Sequence, residues 1–177
     1  MPEIIMRTEK SKQGLRDMIN YINRISSTKN LLLLEIGSYA GDSTEIFCQS
    51  FKEVISIDPW ISNIGDITNR CDMEQVYQNF IKRMEPYKNI TVIRKYSYKI
   101  AQQFEPESID VLYIDGSHEE PDVKQDILLY KGLVKPGGFI CGHDYWNKFP
   151  GTVKAIDETL GKPQAKFIDS SWVIRKK

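Results

Sequence analysis

The run Leu31-Leu32-Leu33-Leu34-Glu35-Ile36 stops at Gly37 and is too short to stand as a helix, so it reads as a buried parallel strand leading into a glycine turn. Further apolar runs repeat the theme. They are Val54-Ile55-Ser56-Ile57-Asp58, stopped by Pro59, then Ile90-Thr91-Val92-Ile93, Ile109-Asp110-Val111-Leu112-Tyr113-Ile114, and Phe139-Ile140-Cys141 after the turn Lys135-Pro136-Gly137-Gly138. Helical spacing fills the gaps at residues 43–51, with Asp42 or Ser43 as cap, at 73–84, in a short helix at 97–104, and at 122–133. Strands alternating with helices need crossover connections, which predicts the α/β class with a Rossmann-like, doubly wound, mostly parallel sheet.

Ahead of this pattern, Leu15, Met18, Ile19, Ile22 and Ile25 recur at spacings of three and four, predicting an amphipathic helix over residues 9–25 that covers one edge or face. Behind it, a helix at 153–160 precedes two short strands, 165–168 and 172–174, which Asp169-Ser170-Ser171 joins as a hairpin. No repeat, linker or low-complexity stretch interrupts the chain. It reads as one domain over 1–177, with a helical segment at 1–28 and the core at 29–177.

Composition narrows the function classes. With 24 Lys+Arg against 24 Asp+Glu, there is no basic field to draw nucleic acid or an anionic membrane. Cys48, Cys71 and Cys141 are odd in number and lack zinc-type pairing, which fits a reducing cytosol. No basic leader precedes an apolar stretch, and no run nears the roughly 20 apolar residues of a spanning helix. A cytoplasmic protein is expected.

Gly37 and Gly41 let backbone approach a ligand closely at the first strand-to-helix turn, where a nucleotide-type cofactor sits in such folds. Asp58 ends the second strand, where dinucleotide-type folds place an acid on the ribose hydroxyls. A Gly-x-x-x-Gly turn and an Asp-Pro turn each also have purely structural uses, and together they do not separate an adenosylmethionine site from a nicotinamide one.

Leu34-Glu35-Ile36-Gly37-Ser38-Tyr39-Ala40-Gly41-Asp42-Ser43-Thr44 resembles the first motif of class I S-adenosylmethionine-dependent methyltransferases, in the branch reading E-I-G-S-x-x-G-x-S-T. That branch holds small-molecule O-methyltransferases similar to macrolide- and antibiotic-tailoring enzymes. Tyr39 stands where the general motif has its middle glycine. The resemblance implies S-adenosylmethionine as cofactor, with Glu35, Gly37, Ser38, Tyr39, Gly41 and Ser43 around its amino-acid part, Asp58 on its ribose, and Trp60 and Ser97-Tyr98 bordering its adenine. S-adenosylmethionine has no pyrophosphate, so an acid such as Glu35 is acceptable near its ammonium group, whereas it would crowd a dinucleotide.

The two histidines of the chain both fall beside an aspartate at a predicted strand end, in Asp115-Gly116-Ser117-His118 and Gly142-His143-Asp144-Tyr145. Ligands bind at that edge of open α/β sheets. Asp115, His118 and Asp144 offer hard oxygen ligands and an imidazole, a set suited to magnesium. A metal there would acidify an acceptor hydroxyl while a neutral histidine takes the proton. Residues 114–127 and 135–145 again look like this branch, whose patterns are D-G-x-H-x-Y-x-x-V-x-x-D, L-x-P-G-G and x-H-D-Y. In its metal-dependent members an aspartate matching Asp115 and a later acid pair hold magnesium, with a histidine matching His118 as base. The pair here reads His143-Asp144, so the implied metal set is Asp115, His143 and Asp144, while Asp115 also counts among the cofactor contacts.

Pro121 departs from the pattern and implies a different acceptor wall, whereas Lys124 and Asp126 read as solvated or capping residues of their helix. The resemblance runs from about Leu31 to Leu160 and implies seven strands, with the final hairpin as antiparallel edge. The expected reaction is O-methylation of a small hydroxylated molecule or sugar, the acceptor wall coming from the N-terminal helix and residues 61–70. An open site of this size also allows a homo-oligomer to complete it. Two other readings stay in play: a methyltransferase fold that binds S-adenosylmethionine without catalysis, and a nicotinamide oxidoreductase, which Glu35 and the missing G-x-G-x-x-G disfavour.

Overall fold

The structure is a computed structural model in which residues 4, 6–62 and 71–177 are described. Helix α1 (Glu9–Ile25) leads into strand β1 (Leu32–Ile36), α2 (Asp42–Ser50), β2 (Glu53–Ile57), α3 (Met73–Met84) and β3 (Ile90–Ile93). Then follow β4 (Ile109–Ile114), α4 (Glu120–Tyr130), β5 (Val134–Gly142), α5 (Pro150–Thr159), β6 (Ala165–Lys166) and β7 (Trp172–Arg175). The strands form a seven-stranded sheet in the order β3-β2-β1-β4-β5-β7-β6. Strands β1 to β5 pair in parallel, and β7 runs antiparallel to both β5 and β6. The expected Rossmann-like sheet is present, and β7 lies inside the hairpin position so that β6 forms the outer edge.

Pleating explains why near-continuous apolar runs suit these strands. Leu33, Val111, Tyr113, Phe139 and Cys141 face a core shared with α1, α2 and α3. Their chain neighbours Leu34, Leu112, Ile114 and Ile140 face a second core with α4 and α5. A strand covered on both faces is apolar at both parities. Glu35 shares the face of Leu33, so a carboxylate enters the first core and must find donors there.

Several boundaries differ from the sequence reading. Helix α2 begins at Asp42, and its cap is Gly41 in the left-handed region at φ 86°, not the side chain of Asp42 or Ser43. Lys135-Pro136-Gly137-Gly138 lies within β5 rather than ahead of it, alongside a register shift in its pairing with β4. The expected helix at 97–104 is two 3-10 turns, Ser97–Lys99 and Ala101–Gln103. Helix α4 starts at Glu120 with Pro121 in its first turn, where a missing N–H costs nothing. In α1, Leu15, Met18, Ile19 and Ile22 are buried, but Ile25 is exposed. Gly14 of α1 is pressed against the β6–β7 turn, since a Cβ there would stand 2.3 Å from Asp169 Oδ1. Among the described residues no helix is long and apolar enough to cross a membrane.

Candidate cofactor and acceptor site

The C-terminal ends of β1, β2, β4 and β5 converge on one edge of the sheet. After β1, the turn carries three positive φ values, 87° at Gly37, 45° at Tyr39 and 86° at Gly41. Gly37 is constrained twice over, because a Cβ there would also lie 2.2 Å from the Asp115 carbonyl oxygen. The turn is held from below. Ser38 and Thr44 donate to Glu35 Oε2 at 2.9 and 2.5 Å, and Ser43 donates to Oε1 at 2.5 Å. Burial pushes the Glu35 carboxyl up to about 7, against these hydroxyl donors.

From the side, Asp58 accepts the backbone N–H groups of Ser38, Tyr39 and Trp60 at 2.9, 3.0 and 2.6 Å. Burial still leaves its carboxyl raised. Trp60 donates its indole N–H to the Tyr39 carbonyl at 2.8 Å, and its ring packs on Tyr77 and Phe80 of α3. Glu35, Ser38, Gly41, Ser43, Asp58 and Trp60 are therefore buried supports of the turn. Glu35 and Trp60 sit inside the core and show no open face for a ligand. Gly37, Tyr39, Ser97 and Asp115 are partly exposed along the edge.

Ser97 belongs to the 3-10 turn after β3 and donates to Asp126 Oδ1 at 2.5 Å. Asp126 corrects the reading of α4 as showing this residue to solvent: it is buried, and burial pushes its carboxyl up to about 6. It lies beneath Gly116, where a Cβ would be 4.0 Å from Asp126 Oδ2. Its place in the V-x-x-D pattern was the available signal.

After β4 and β5 the chemistry changes from neutral donors to charges. His118 Nε2 lies 2.9 Å from Asp144 Oδ2, and His143 Nδ1 lies 2.9 Å from Asp144 Oδ1. The two imidazoles hold the Asp144 carboxyl well below the usual carboxylate range despite its burial. The His118 ring stacks on Phe149 with centroids 4.4 Å apart. Burial pulls the His143 imidazole down, but Asp115 and Asp144 outweigh it and leave it raised. Burial likewise raises Asp115 against the pull of Arg7.

Asp115, His143 and Asp144 bring ligand atoms within 4.8 Å of one another. Two carboxylates and a neutral imidazole nitrogen fit a divalent cation by donor chemistry. Two members of this cluster had no signal in the sequence. Arg7, just ahead of α1, donates to Asp115 Oδ2 and to Tyr113 Oη. Asp169, in the β6–β7 turn, lies 3.8 Å from His143 Nε2 and 3.9 Å from Arg7 Nη1. The expected acceptor wall at residues 61–70 lies almost wholly outside the described residues.

The profile of a family described as methyltransferase domain matches residues 34–145, from β1 through the end of β5. The chain belongs to this methyltransferase family. Solved structures share its fold. The O-methyltransferase NovP superposes with a TM-score of 0.67 at 15% identity, covering 96% of this chain and 78% of that one. CalS11, a TDP-rhamnose 3'-O-methyltransferase of calicheamicin biosynthesis, superposes at 0.65 and 11% identity, covering 95% and 80%. A precorrin-8w decarboxylase from Methanobacterium thermoautotrophicum also superposes, at 0.61 and 15% identity, covering 89% and 75%. Fold alone thus leaves the chemistry to the site. An uncharacterised protein of Acanthamoeba polyphaga mimivirus is 30% identical over 146 residues, 77% of this chain. The chain spans 62% of that relative's length.

Proposed function

We propose that this methyltransferase transfers the methyl group of S-adenosylmethionine to a hydroxyl of a small hydroxylated molecule or sugar. The observation that carries the reading is the Asp144–His118 pair at 2.9 Å, set on the same sheet edge as the Gly37–Gly41 turn. Asp144 fixes the His118 tautomer with its proton on Nε2, which makes Nδ1 the basic nitrogen. It also stabilises the imidazolium that forms when His118 takes the hydroxyl proton. Phe149 holds the plane of the ring.

On the cofactor side, the residues act through the backbone they shape. Glu35, Ser38 and Ser43 lock the turn from inside, and Asp58 gathers its N–H groups, so that Gly37 and Tyr39 present a prebuilt cradle. Ser97, with Asp126 behind it, borders the adenine. Asp115, His143 and Asp144 would hold a magnesium ion, which when bound supplies Lewis acidity to the acceptor hydroxyl. The backbone carbonyl of Asp115 lies against Gly37, so Asp115 also ties the cofactor turn to this cluster.

The sugar reading draws support from CalS11, whose name states a sugar-nucleotide acceptor, and from the zero net charge, which offers no broad field for a polyanion. We read the chain as one domain working in the cytoplasm away from nucleic acid and membrane, with a homo-oligomer completing the open side of the site. Incubation with methyl-labelled S-adenosylmethionine and a panel of sugar nucleotides and polyhydroxylated aromatics, with magnesium or with EDTA, tests the proposal. Label should reach an acceptor oxygen in a His118-dependent way. Calorimetric binding of S-adenosylmethionine with no transfer to any acceptor would favour the non-catalytic reading instead.

A further inference from the structure

Arg7 stands outside the stretch that matches the family, yet its guanidinium reaches the centre of the acidic cluster. Nη2 donates to Asp115 Oδ2 and, at 3.3 Å, to Tyr113 Oη. The segment is also fastened through its backbone, because Arg7 N–H donates to Asp42 Oδ2 at 2.6 Å while Arg83 holds Asp42 Oδ1 at 2.8 Å. Behind it, Gly14 lets α1 lie against Asp169.

The fit is incomplete in one respect. Arg7 Nη1 and His143 Nε2 are buried without a hydrogen-bond partner among the described residues. Both face Asp169 Oδ2 from beyond hydrogen-bond range, at 3.9 and 3.8 Å. A buried guanidinium N–H without an acceptor is costly, so Arg7 stays where it is chiefly through its pairing with Asp115. Asp115 is also one of the three residues whose ligand atoms meet within 4.8 Å. A dication among those atoms would stand beside a fixed guanidinium in a poorly solvated place, and the two positive charges would compete for one carboxylate.

We propose that Arg7 is an internal latch, a built-in cation that occupies Asp115 in the metal-free protein and leaves it when a divalent cation binds, freeing the N-terminal segment. The inference rests on the reading of Asp115, His143 and Asp144 as a metal site. Competition of this kind is reciprocal: removing Arg7 tightens metal binding, and metal loosens the segment by the same linkage. Loading the metal thereby also opens the Arg7 side of the acceptor site.

Manganese binding by electron paramagnetic resonance on wild type, Arg7→Ala and Asp144→Asn, with hydrogen exchange of residues 6–14 in wild type with and without manganese, tests this. Arg7→Ala should bind manganese at least tenfold more tightly than wild type, and Asp144→Asn should lose it. In wild type, manganese should speed exchange at the Arg7 amide about tenfold. This second readout needs no variant and stands even if Arg7→Ala folds poorly. Equal or weaker binding by Arg7→Ala, or unchanged exchange in metal-loaded wild type, overturns the latch and leaves the metal site standing. Failure of both wild type and folded Arg7→Ala to bind manganese removes the metal site and the latch with it.

Discussion

Two halves of one sheet edge are built on opposite principles. At the ends of β1 and β2, the Glu35 and Asp58 carboxylates are surrounded by hydroxyl and backbone N–H donors. At the ends of β4 and β5, carboxylates face a guanidinium and two imidazoles, and buried side-chain nitrogens of Arg7 and His143 have no hydrogen-bond partner among the described residues. A network of neutral donors fixes geometry with little dependence on what is bound. A cluster balanced by charge responds to every proton or cation that enters it. The first half suits a cofactor cradle, and the second suits chemistry.

The sharpest test of that division is His118→Ala. It should lower kcat by about 10²- to 10⁴-fold, the usual contribution of a general base. The dissociation constant for S-adenosylmethionine should stay within about twofold, by calorimetry. A matching loss of cofactor affinity would mean that the two halves are not separable. Gly37→Ala attacks the other half. A Cβ at φ 87° and 2.2 Å from the Asp115 carbonyl should cost about 4 kcal/mol in strain and overpacking. Denaturant midpoint and cofactor affinity should fall together.

Smaller effects distinguish the halves by pH. The Glu35 carboxyl is raised from 4.5 to about 7 in the folded state. The folded protein therefore holds that proton more tightly, and the stability so conferred is complete below pH 4.5 and lost as pH climbs to about 7. Glu35→Gln should flatten this slope in unfolding free energy, measured by denaturant titration across pH, by up to about 3.5 kcal/mol at the ~1.4 kcal/mol per unit of linkage. An unchanged slope would show that another group carries it. Last comes Asp126→Asn, which weakens the Ser97 contact. It should cost about 1 kcal/mol and raise the S-adenosylmethionine dissociation constant a few fold, with kcat unchanged.

Much of the turn after β1 was legible because its parts are local. Glu35, Gly37, Ser38, Gly41, Ser43 and Thr44 lie on one strand, turn and helix, and the apolar runs set their depth. What the pattern could not show is which way these side chains turn. Ser43 reads equally well as cap, ligand or support, and only the parity of Glu35 with Leu33 sends its hydroxyl inward to the carboxylate. Asp126 looked like surface because charge on a helix usually is, but the 3-10 turn at Ser97 covers it. Trp60 stood beside the site in sequence, and the packing of α3 drew its ring into the core.

By itself the sequence determined the alternation of strand and helix, hence the parallel sheet, and the arrival of Asp115, His118, His143 and Asp144 at the C-terminal edge of its strands. Short-range periodicity and strand ends suffice for this. Only the tertiary structure decided that Arg7 and Asp169 join them. They are 108 residues and 54 residues from Asp115 along the chain, counting Arg7 to Asp115 and Asp115 to Asp169. No local pattern encodes a contact made by docking α1 and the β6–β7 turn against the same strand ends. The physical reason is that buried charge must be balanced in space, and the chain meets that requirement with whatever segment folding brings near.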